Sequence, residues 1–203
     1  MRRVVITGVG AVTPIGNTVK EMWAGVREGK CGIDKITKYD ISNRKVKVAA
    51  EVKNLPVEEL VDKHDLRKMD LFCTFAMIAA DEAIADSGLS FEGEEDKCGV
   101  IVSSGIGGIS TIEKEYSKGL EKGFDRVSPY FIPSVITNMA AGRIAIKHNL
   151  QGMCSCVVTA CAGGTNAVGD SFRQIRDGYA DVMVCGGAER SEERRVGKEC
   201  RSR

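Results

Sequence analysis

The amino-acid sequence predicts an α/β protein built around a mostly parallel sheet. Short apolar runs with β-branched side chains alternate along the chain with longer segments in which apolar residues recur at helical spacing. This alternation is typical of α/β units, in which helices join parallel strands. Hydrophobic residues make up 43% of the 203 residues, which is enough to fill a sizeable core.

The individual elements are predicted from local patterns. The predicted strands cover residues 4–6, 46–52, 98–102, 154–158 and 182–185, of which 46–52 alternates only weakly. The predicted helices cover residues 19–27, 66–87, 112–120, 133–148 and 161–176. The first helix is amphipathic and ends before Gly29, whereas the second is apolar around most of its circumference and ends at Gly88. Pro133 opens the fourth helix, since proline fits the first helical turn.

Composition excludes several classes of protein. The formal net charge is +1, so the chain lacks the basic excess that nucleic acids or anionic membrane surfaces require. No apolar run approaches the ~18 residues of a membrane span, and the strand-like start leaves no room for a signal peptide. Eight unevenly spaced cysteines do not form the pattern of a disulfide scaffold. We expect a soluble, cytoplasmic protein.

The end of the chain has a different composition. Residues 190–203 hold six basic and three acidic side chains and a single aliphatic one, Val196, so this segment cannot form a core. We therefore predict a domain over residues 1–189, followed by a charged tail at 190–203. A solvated natural tail is one interpretation; the one we favour is that the natural sequence stops near Glu189 and the tail marks a truncation.

Cys161 is the strongest candidate for a reactive residue. It follows the apolar run at 154–158 through a tight turn and lies where the next helix is predicted to begin. The unpaired N–H groups and the dipole of a helix N-terminus stabilise a thiolate there by up to ~2 kcal/mol. Gly163, Gly164 and Gly169 weaken this helix, which predicts that another backbone packs unusually close to it.

Three other interpretations remain open from the residues alone. Cys161 could be an unreactive core thiol like most cysteines. A zinc site at Cys154, Cys156 and Cys161 is weaker still, because no second CxxC pair completes four ligands. A dinucleotide-binding turn at Gly8-Val9-Gly10 is also weak, since Thr13 stands where the third glycine belongs.

Six stretches of the sequence resemble one enzyme family. They are RRVVITGVGAVTPIGN at 2–17, RKMD at 67–70, SSGIGG at 103–108, SPYFIPSVITNMAAG at 128–142, TACAGGTNA at 159–167 and DVMVCGGAE at 181–189. In this order and spacing they resemble the β-ketoacyl-acyl-carrier-protein synthases, and most closely the type II elongation condensing enzymes of bacterial fatty-acid synthesis. The resemblance covers the N-terminal half of such an enzyme.

The resemblance implies a fold and an activity. The fold would be the N-terminal half of the thiolase-like, layered αβαβα architecture. Cys161 would attack the thioester of an acyl-acyl carrier protein and hold the acyl chain, with its own backbone N–H as one oxyanion donor. Malonyl-acyl carrier protein would then lose carbon dioxide and extend that chain by a decarboxylative Claisen condensation. Ile106 would line the acyl pocket, no cofactor or metal is implied, and residues 133–139 would lie near the interface of a homodimer.

The chain also departs from the family. Two histidines and a lysine that assist decarboxylation lie in the family's second half, whereas His64 and His148 match no family motif, and we expect both to be solvated. We therefore expect this chain alone to lack condensing activity. We also expect the glycine-bearing helix to expose an apolar face that promotes self-association or poor solubility.

Two further functions remain as alternatives. The chain could be a non-catalytic fragment that binds acyl carrier protein or a full-length partner subunit, using basic residues such as Arg67, Lys68, Arg126 and Arg143. Scattered basic residues are, however, ordinary on a protein surface. A polyketide ketosynthase or a thiolase relative would place a cysteine at the start of a helix in the same way. The sequence does not distinguish the acyl chain length.

Overall fold

The computed structural model describes residues 2–189, which divide into two compact units. The smaller unit comprises residues 11–55, and the larger comprises residues 2–10 and 56–189. Within the described range, no helix combines the length and the apolar character needed to cross a bilayer. The predicted tail at 190–203 lies outside the described residues.

The smaller unit contains one helix and a two-stranded antiparallel sheet. Helix α1 spans Val19–Arg27, as predicted, and strands β1 (Ile33–Lys35) and β2 (Val48–Ala50) pair with each other. Side chains cap the start of helix α1: the hydroxyl of the N-cap residue Thr18 accepts from the N–H of Glu21 at 3.2 Å, and the Glu21 carboxylate accepts from the N–H of Asn17 at 2.8 Å. The capping explains why the helix starts where the apolar spacing starts.

The larger unit is an α/β structure with a three-stranded parallel sheet. Its strands are β3 (Cys98–Ser103), β4 (Cys154–Ser155) and β5 (Val182–Gly187), in the spatial order β4–β3–β5. Its helices are α2 (Val57–Leu60), α3 (Lys63–Leu66), α4 (Leu71–Ser87), α5 (Ile109–Lys122), α6 (Phe131–Val135), α7 (Met139–Lys147) and α8 (Gly163–Arg176). Short 3₁₀ helices cover Glu95–Lys97, Phe124–Arg126 and Ala160–Ala162.

Helices cover both faces of this sheet. Val100 and Val102 of β3 belong to the main core with α4 and α7, where Phe72 and Ile144 are fully buried. Side chains alternate along a strand, so Ser103 points to the opposite face, and there it meets Gly163 of α8. The central strand β3 is buried along its whole length, as expected for a parallel sheet between two helical layers.

The predicted strand at residues 4–6 is wrong. The backbone of residues 2–10 does not pair with any described strand. Gly8 and Gly10 instead lie directly on α4: a Cβ atom at these positions would stand 2.0 Å from the Ala83 carbonyl oxygen and 1.9 Å from that of Ala79. Close packing on a helix accounts for these glycines without a nucleotide.

Several predicted boundaries are also wrong, because local capping interrupts the patterns. The predicted helix at 66–87 is broken, since the Asp70 side chain accepts from the N–H of Phe72 and starts α4 as a new helix. The predicted helix at 133–148 is also divided: Pro133 is the third residue of α6, and α7 begins only at Met139. The predicted strand at 154–158 contains just the two residues of β4.

Candidate active site around Cys161

Cys161 lies in the 3₁₀ turn Ala160–Ala162 that leads directly into α8, and its side chain is exposed. The regular helix therefore begins at Gly163, later than the predicted start at Cys161. The first hydrogen bonds of the turn run from the N–H of Ala162 to the Thr159 carbonyl oxygen at 3.1 Å and from Gly163 to Ala160. Cys161 thus lies before the first backbone N–H groups that are hydrogen-bonded within the turn, at the positive end of the α8 dipole.

The backbone just before Cys161 is strained. Ala160 has a φ of 48°, in the left-handed region that costs a residue with a Cβ roughly 1–2 kcal/mol. The sharp turn is tied to the helix behind it, because the Asn166 side-chain amide donates to the Thr159 hydroxyl at 2.9 Å. Strain of this kind is found where a fold has to present a side chain at a fixed position.

Two of the three glycines of α8 allow the close packing that the sequence predicts. A Cβ on Gly163 would lie 1.9 Å from the Ser103 hydroxyl oxygen, and Gly164 lies against Gly187 at the end of β5. Gly169 has no such neighbour, since nothing lies within 4 Å of its Cβ position. The close approach therefore concerns only the first turn of α8, beside Cys161.

The turn that follows β3 lies next to the Cys161 turn. A Cβ on Gly105 would stand 3.9 Å from the Cα of Ala160, so the structure brings the two glycine-rich motifs together. Ile106, the predicted pocket residue, is half-buried in this turn. The Glu189 carboxylate accepts hydrogen bonds from the N–H groups of Gly105 at 2.8 Å and Ile106 at 3.2 Å. Sequence reasoning missed Glu189, although it closes the last family motif.

The other end of this turn is held by buried polar groups. The Asp70 carboxylate, which caps α4, also accepts from the N–H and hydroxyl of Thr111 in the first turn of α5, at 3.0 and 2.7 Å. Gly107 has a φ of 73°, and its N–H donates to the Ser104 hydroxyl at 3.1 Å. Residues 103–108 are thus fixed at both ends, by Glu189 and by the α4–α5 junction.

Four of the other described cysteines differ from Cys161 in their surroundings. Burial raises the pKa of the Cys73 thiol to about 12. Desolvation also raises the pKa of Cys98, Cys154 and Cys185. No group of three metal-binding side chains occurs within residues 2–189, so the zinc interpretation of Cys154, Cys156 and Cys161 gains no support.

The two histidines have separate environments. His64 is exposed, as expected, and its Nδ1 lies 3.3 Å from the Lys68 ammonium group. The expectation of a solvated His148 is wrong: its side chain is 20% exposed, and its Nε2 lies 2.8 Å from the Asp81 carboxylate. His148 ends α7, and Asp81 of α4 lies beside that helix end, so a helix-to-helix polar contact replaces solvent.

Solved structures define the class of protein to which this architecture belongs. The ishigamide ketosynthase/chain length factor matches with a TM-score of 0.83 and 30% identity, over 92% of this chain and 47% of that chain. A type II polyketide synthase acyl-carrier protein in complex with its ketosynthase matches with a TM-score of 0.74 and 23% identity, over 94% and 51% of the two chains. The fold is the thiolase-like α/β fold of ketosynthases.

Sequence comparison identifies the family. Residues 1–202 match the N-terminal domain of β-ketoacyl synthases. The 3-oxoacyl-[acyl-carrier-protein] synthase 2 of Synechocystis sp. is 44% identical over 189 residues, which is 93% of this chain and 45% of the relative. The chain belongs to the β-ketoacyl synthase family. It spans about 45% of the length of this curated relative.

Proposed function

We propose that this chain is the N-terminal part of a 3-oxoacyl-acyl-carrier-protein synthase of fatty-acid synthesis, with Cys161 as the acyl-accepting nucleophile. The observation that carries the proposal is the position of Cys161: exposed, ahead of the bonded donors of α8 and beside the turn that carries Ile106. The 44% identity to the 3-oxoacyl-[acyl-carrier-protein] synthase 2 of Synechocystis sp. favours a fatty-acid enzyme.

The geometry supports an acyl-transfer step. The Cys161 thiolate would attack the thioester carbonyl of an acyl-acyl carrier protein, and the carbonyl π electrons would move to oxygen. The Cys161 N–H would donate to this oxyanion until the carrier's thiolate leaves and the acyl group remains on Cys161. Malonyl-acyl carrier protein would then release carbon dioxide, and its carbanion would displace Cys161 as the chain gains two carbons. The half-buried Ile106 would contact the acyl chain.

The chain alone would accept an acyl group without elongating it. Its two histidines have contacts of their own, His64 with Lys68 and His148 with Asp81. The family resemblance places the groups that assist decarboxylation in the second half of the family's enzymes. This chain covers about 45% of its relative and does not include that half. Acyl transfer would use the Cys161 thiol and its N–H as one of two oxyanion donors, whereas the resemblance implies that condensation also needs the groups of the second half.

Acyl carrier protein is the partner we propose, as in the polyketide complex matched above. Of the four basic residues suggested from the sequence, Arg143 is unsuited to contact an acidic carrier, because its guanidinium lies 3.5 Å from the Asp65 carboxylate and donates to the Lys68 carbonyl oxygen. Arg67 and Arg126 are exposed, and the pairing of Arg126 with the Asp125 carboxylate at 3.8 Å lies open to solvent, whereas the Arg143 side chain is only 17% exposed. These two arginines would contact the carrier. We place the reaction in the cytoplasm, because this reducing compartment suits the seven free cysteines of the described residues.

An apolar face on the larger unit supports a homodimer. We call it the α5–α6 face. Its members are Ile112, Tyr116, Leu120, Phe124, Ile132 and Ile136, each at least 40% exposed. The rings of Tyr116 and Phe124 contact each other with centroids 6.2 Å apart, and α6 contains Pro133 of the segment expected at the interface. Exposed apolar side chains clustered on neighbouring helices are typical of an association surface.

The test is transfer of a short acyl group from acyl carrier protein to the purified chain, read by mass mapping. We expect the acyl group on the Cys161 peptide, none on Cys161→Ala, and wild-type labelling on the matched variant Cys31→Ala, which removes an exposed thiol in the smaller unit. High salt should slow transfer from the carrier but not from a small-molecule thioester. Acylation spread over several cysteines would contradict the proposal.

A further inference from the structure

The carboxylate of Glu189 closes the turn that follows β3, and the sheet itself brings it there. Strands β3 and β5 pair in parallel as far as Ser103 and Gly187, and the N–H of Ala188 then donates to the Ser103 carbonyl oxygen at 2.9 Å. Glu189 is the next residue, and its side chain reaches across to the turn. The position of this carboxylate is therefore set by the pairing of the two strands.

A single oxygen of this carboxylate holds two neighbouring amides. The Oε2 atom of Glu189 accepts from the N–H of Gly105 at 2.8 Å and from that of Ile106 at 3.2 Å. Both amide residues are half-buried, and a half-buried N–H group that loses its acceptor costs free energy. Because an ionised acceptor makes stronger hydrogen bonds than a neutral one, a carboxylate is well suited to fix this backbone.

The second part of the turn is held by different acceptors. The N–H of Gly107 donates to the Ser104 hydroxyl at 3.1 Å, and that of Gly108 donates to the Val135 carbonyl oxygen at 3.0 Å. Ile106 lies where the two sets of hydrogen bonds meet, so its place depends on both. Loss of the carboxylate would release the first part of the turn while the second part stays anchored.

We propose that Glu189 is a positioning residue for the acyl pocket, because it fixes the backbone that carries Ile106 beside the Cys161 turn. This role rests on the function proposed above, in which Ile106 contacts the acyl chain held on Cys161. The Cα of Ala160 lies 3.9 Å from the Cβ position of Gly105, so a shift of this backbone changes the space beside Cys161. Glu189 thus affects the transfer of long acyl chains, which extend to Ile106, more than that of an acetyl group, which ends at a single methyl group.

The first test compares octanoyl and acetyl transfer from acyl carrier protein to Cys161 of the full chain. Glu189→Ala should slow octanoyl transfer by about tenfold, the factor expected when hydrogen bonds to a charged group are lost, and acetyl transfer by less than about twofold. Glu121→Ala is the matched control, since it removes an exposed carboxylate in the last turn of α5, and it should leave both rates unchanged. Equal slowing of both acyl groups would overturn the proposal.

Two conservative variants separate the reach of the side chain from its charge. Glu189→Gln keeps the length and a carbonyl oxygen that can accept from both N–H groups, so octanoyl transfer should stay within about threefold of the wild-type rate. Glu189→Asp keeps the charge but is one methylene group shorter, so it should behave like Glu189→Ala. If aspartate restored the rate and glutamine did not, charge rather than position would be responsible and the positioning role would be wrong.

A double-mutant cycle examines whether Glu189 acts through Ile106. Ile106→Ala alone should slow octanoyl transfer. Glu189→Ala added to it should slow transfer by less than about twofold more, because the side chain that Glu189 positions is already removed. Effects that simply multiply would show that the two residues act independently and would contradict the proposal.

Hydrogen exchange separates a failure of this role from a failure of the proposed function. Amide exchange in residues 103–108, read by mass spectrometry, should be about tenfold faster in Glu189→Ala and close to wild type in Glu189→Gln, whether or not Cys161 accepts an acyl group. Unchanged exchange in Glu189→Ala, with Cys161 acylated normally, would overturn the role of Glu189 alone. Wild-type chain that is not acylated on Cys161 would overturn the proposed function, and with it the effect of Glu189 on the acyl chain.

Discussion

At the scale of single residues, the cysteines show how position decides chemistry. Seven cysteines lie within the described residues, and composition does not distinguish them. Cys73 is fully buried in the main core, where the charged form is destabilised, whereas Cys161 is exposed at the start of α8. The same side chain is therefore a core residue at one position and the candidate nucleophile at the other.

The first prediction concerns the order in which these thiols react. Near pH 7 we expect iodoacetamide to modify Cys161 before the other seven cysteines. Only the thiolate reacts, and Cys161 is exposed at the positive end of the α8 dipole, which favours a thiolate. The pKa of Cys73 is raised to about 12, so its thiol stays protonated as the pH is raised toward 9 and gains reactivity only above that range. Mass mapping over time at several pH values measures the order.

Unfolding in urea provides the control for this prediction. Burial raises the pKa of Cys73 and Cys98 only in the folded chain, so both should react like ordinary thiols once the core is lost. Labelling of all cysteines at one rate in the folded chain would remove the claim that Cys161 is distinctive.

At the scale of elements, the sequence predicts types better than boundaries. Helix α1 and strand β3 follow the predicted spans closely, since apolar spacing and flanking turns agree there. The predicted helix at 66–87 fails at Asp70, because a side chain that also bonds Thr111 of α5 starts a new helix. Such a bond is tertiary, and a pattern of apolar residues carries no information about it.

The candidate site was predictable only in part for the same reason. Cys161 and Ile106 stand in recognisable motifs, and the structure places their turns side by side. The role of Glu189 depends on the end of β5 lying beside the turn after β3, a long-range pairing of parallel strands. The strained backbone of Ala160 has no sequence signal, because alanine seldom adopts a positive φ.

The second prediction separates the glycines of α8. Gly163→Ala should destabilise the fold by about 1–3 kcal/mol, since its Cβ would overlap Ser103 and displace the helix. Gly169→Ala should stabilise it by roughly 0.5–1 kcal/mol, because its Cβ meets open space and alanine favours a helix. Urea unfolding followed by circular dichroism measures both changes. Equal effects of the two variants would show that the close approach to Ser103 is unimportant.

At the scale of the whole molecule, exposed apolar surface is the dominant feature. The α5–α6 face carries aromatic and aliphatic side chains. On α8, Val168 and Phe172 are 47% and 45% exposed, although the family resemblance implies that this helix is covered in the complete fold. Burying such surface gains about 25 cal/mol for each Å². A stable dimer covers about 800 Å² on each partner, so an apolar face of this kind favours association.

The last prediction therefore concerns the state of association. Purified alone, the chain should sediment as dimers or larger species, and Tyr116→Lys combined with Leu120→Lys should shift it toward the monomer, because both side chains lie on the α5–α6 face. Tyr179→Lys is the matched control: Tyr179 is 73% exposed but lies beyond α8, outside that face, so its substitution should leave the sedimentation unchanged. If the control dissociates the assembly equally, general surface charge rather than this face governs association. If the double variant sediments like the wild-type chain, the homodimer does not use the α5–α6 face.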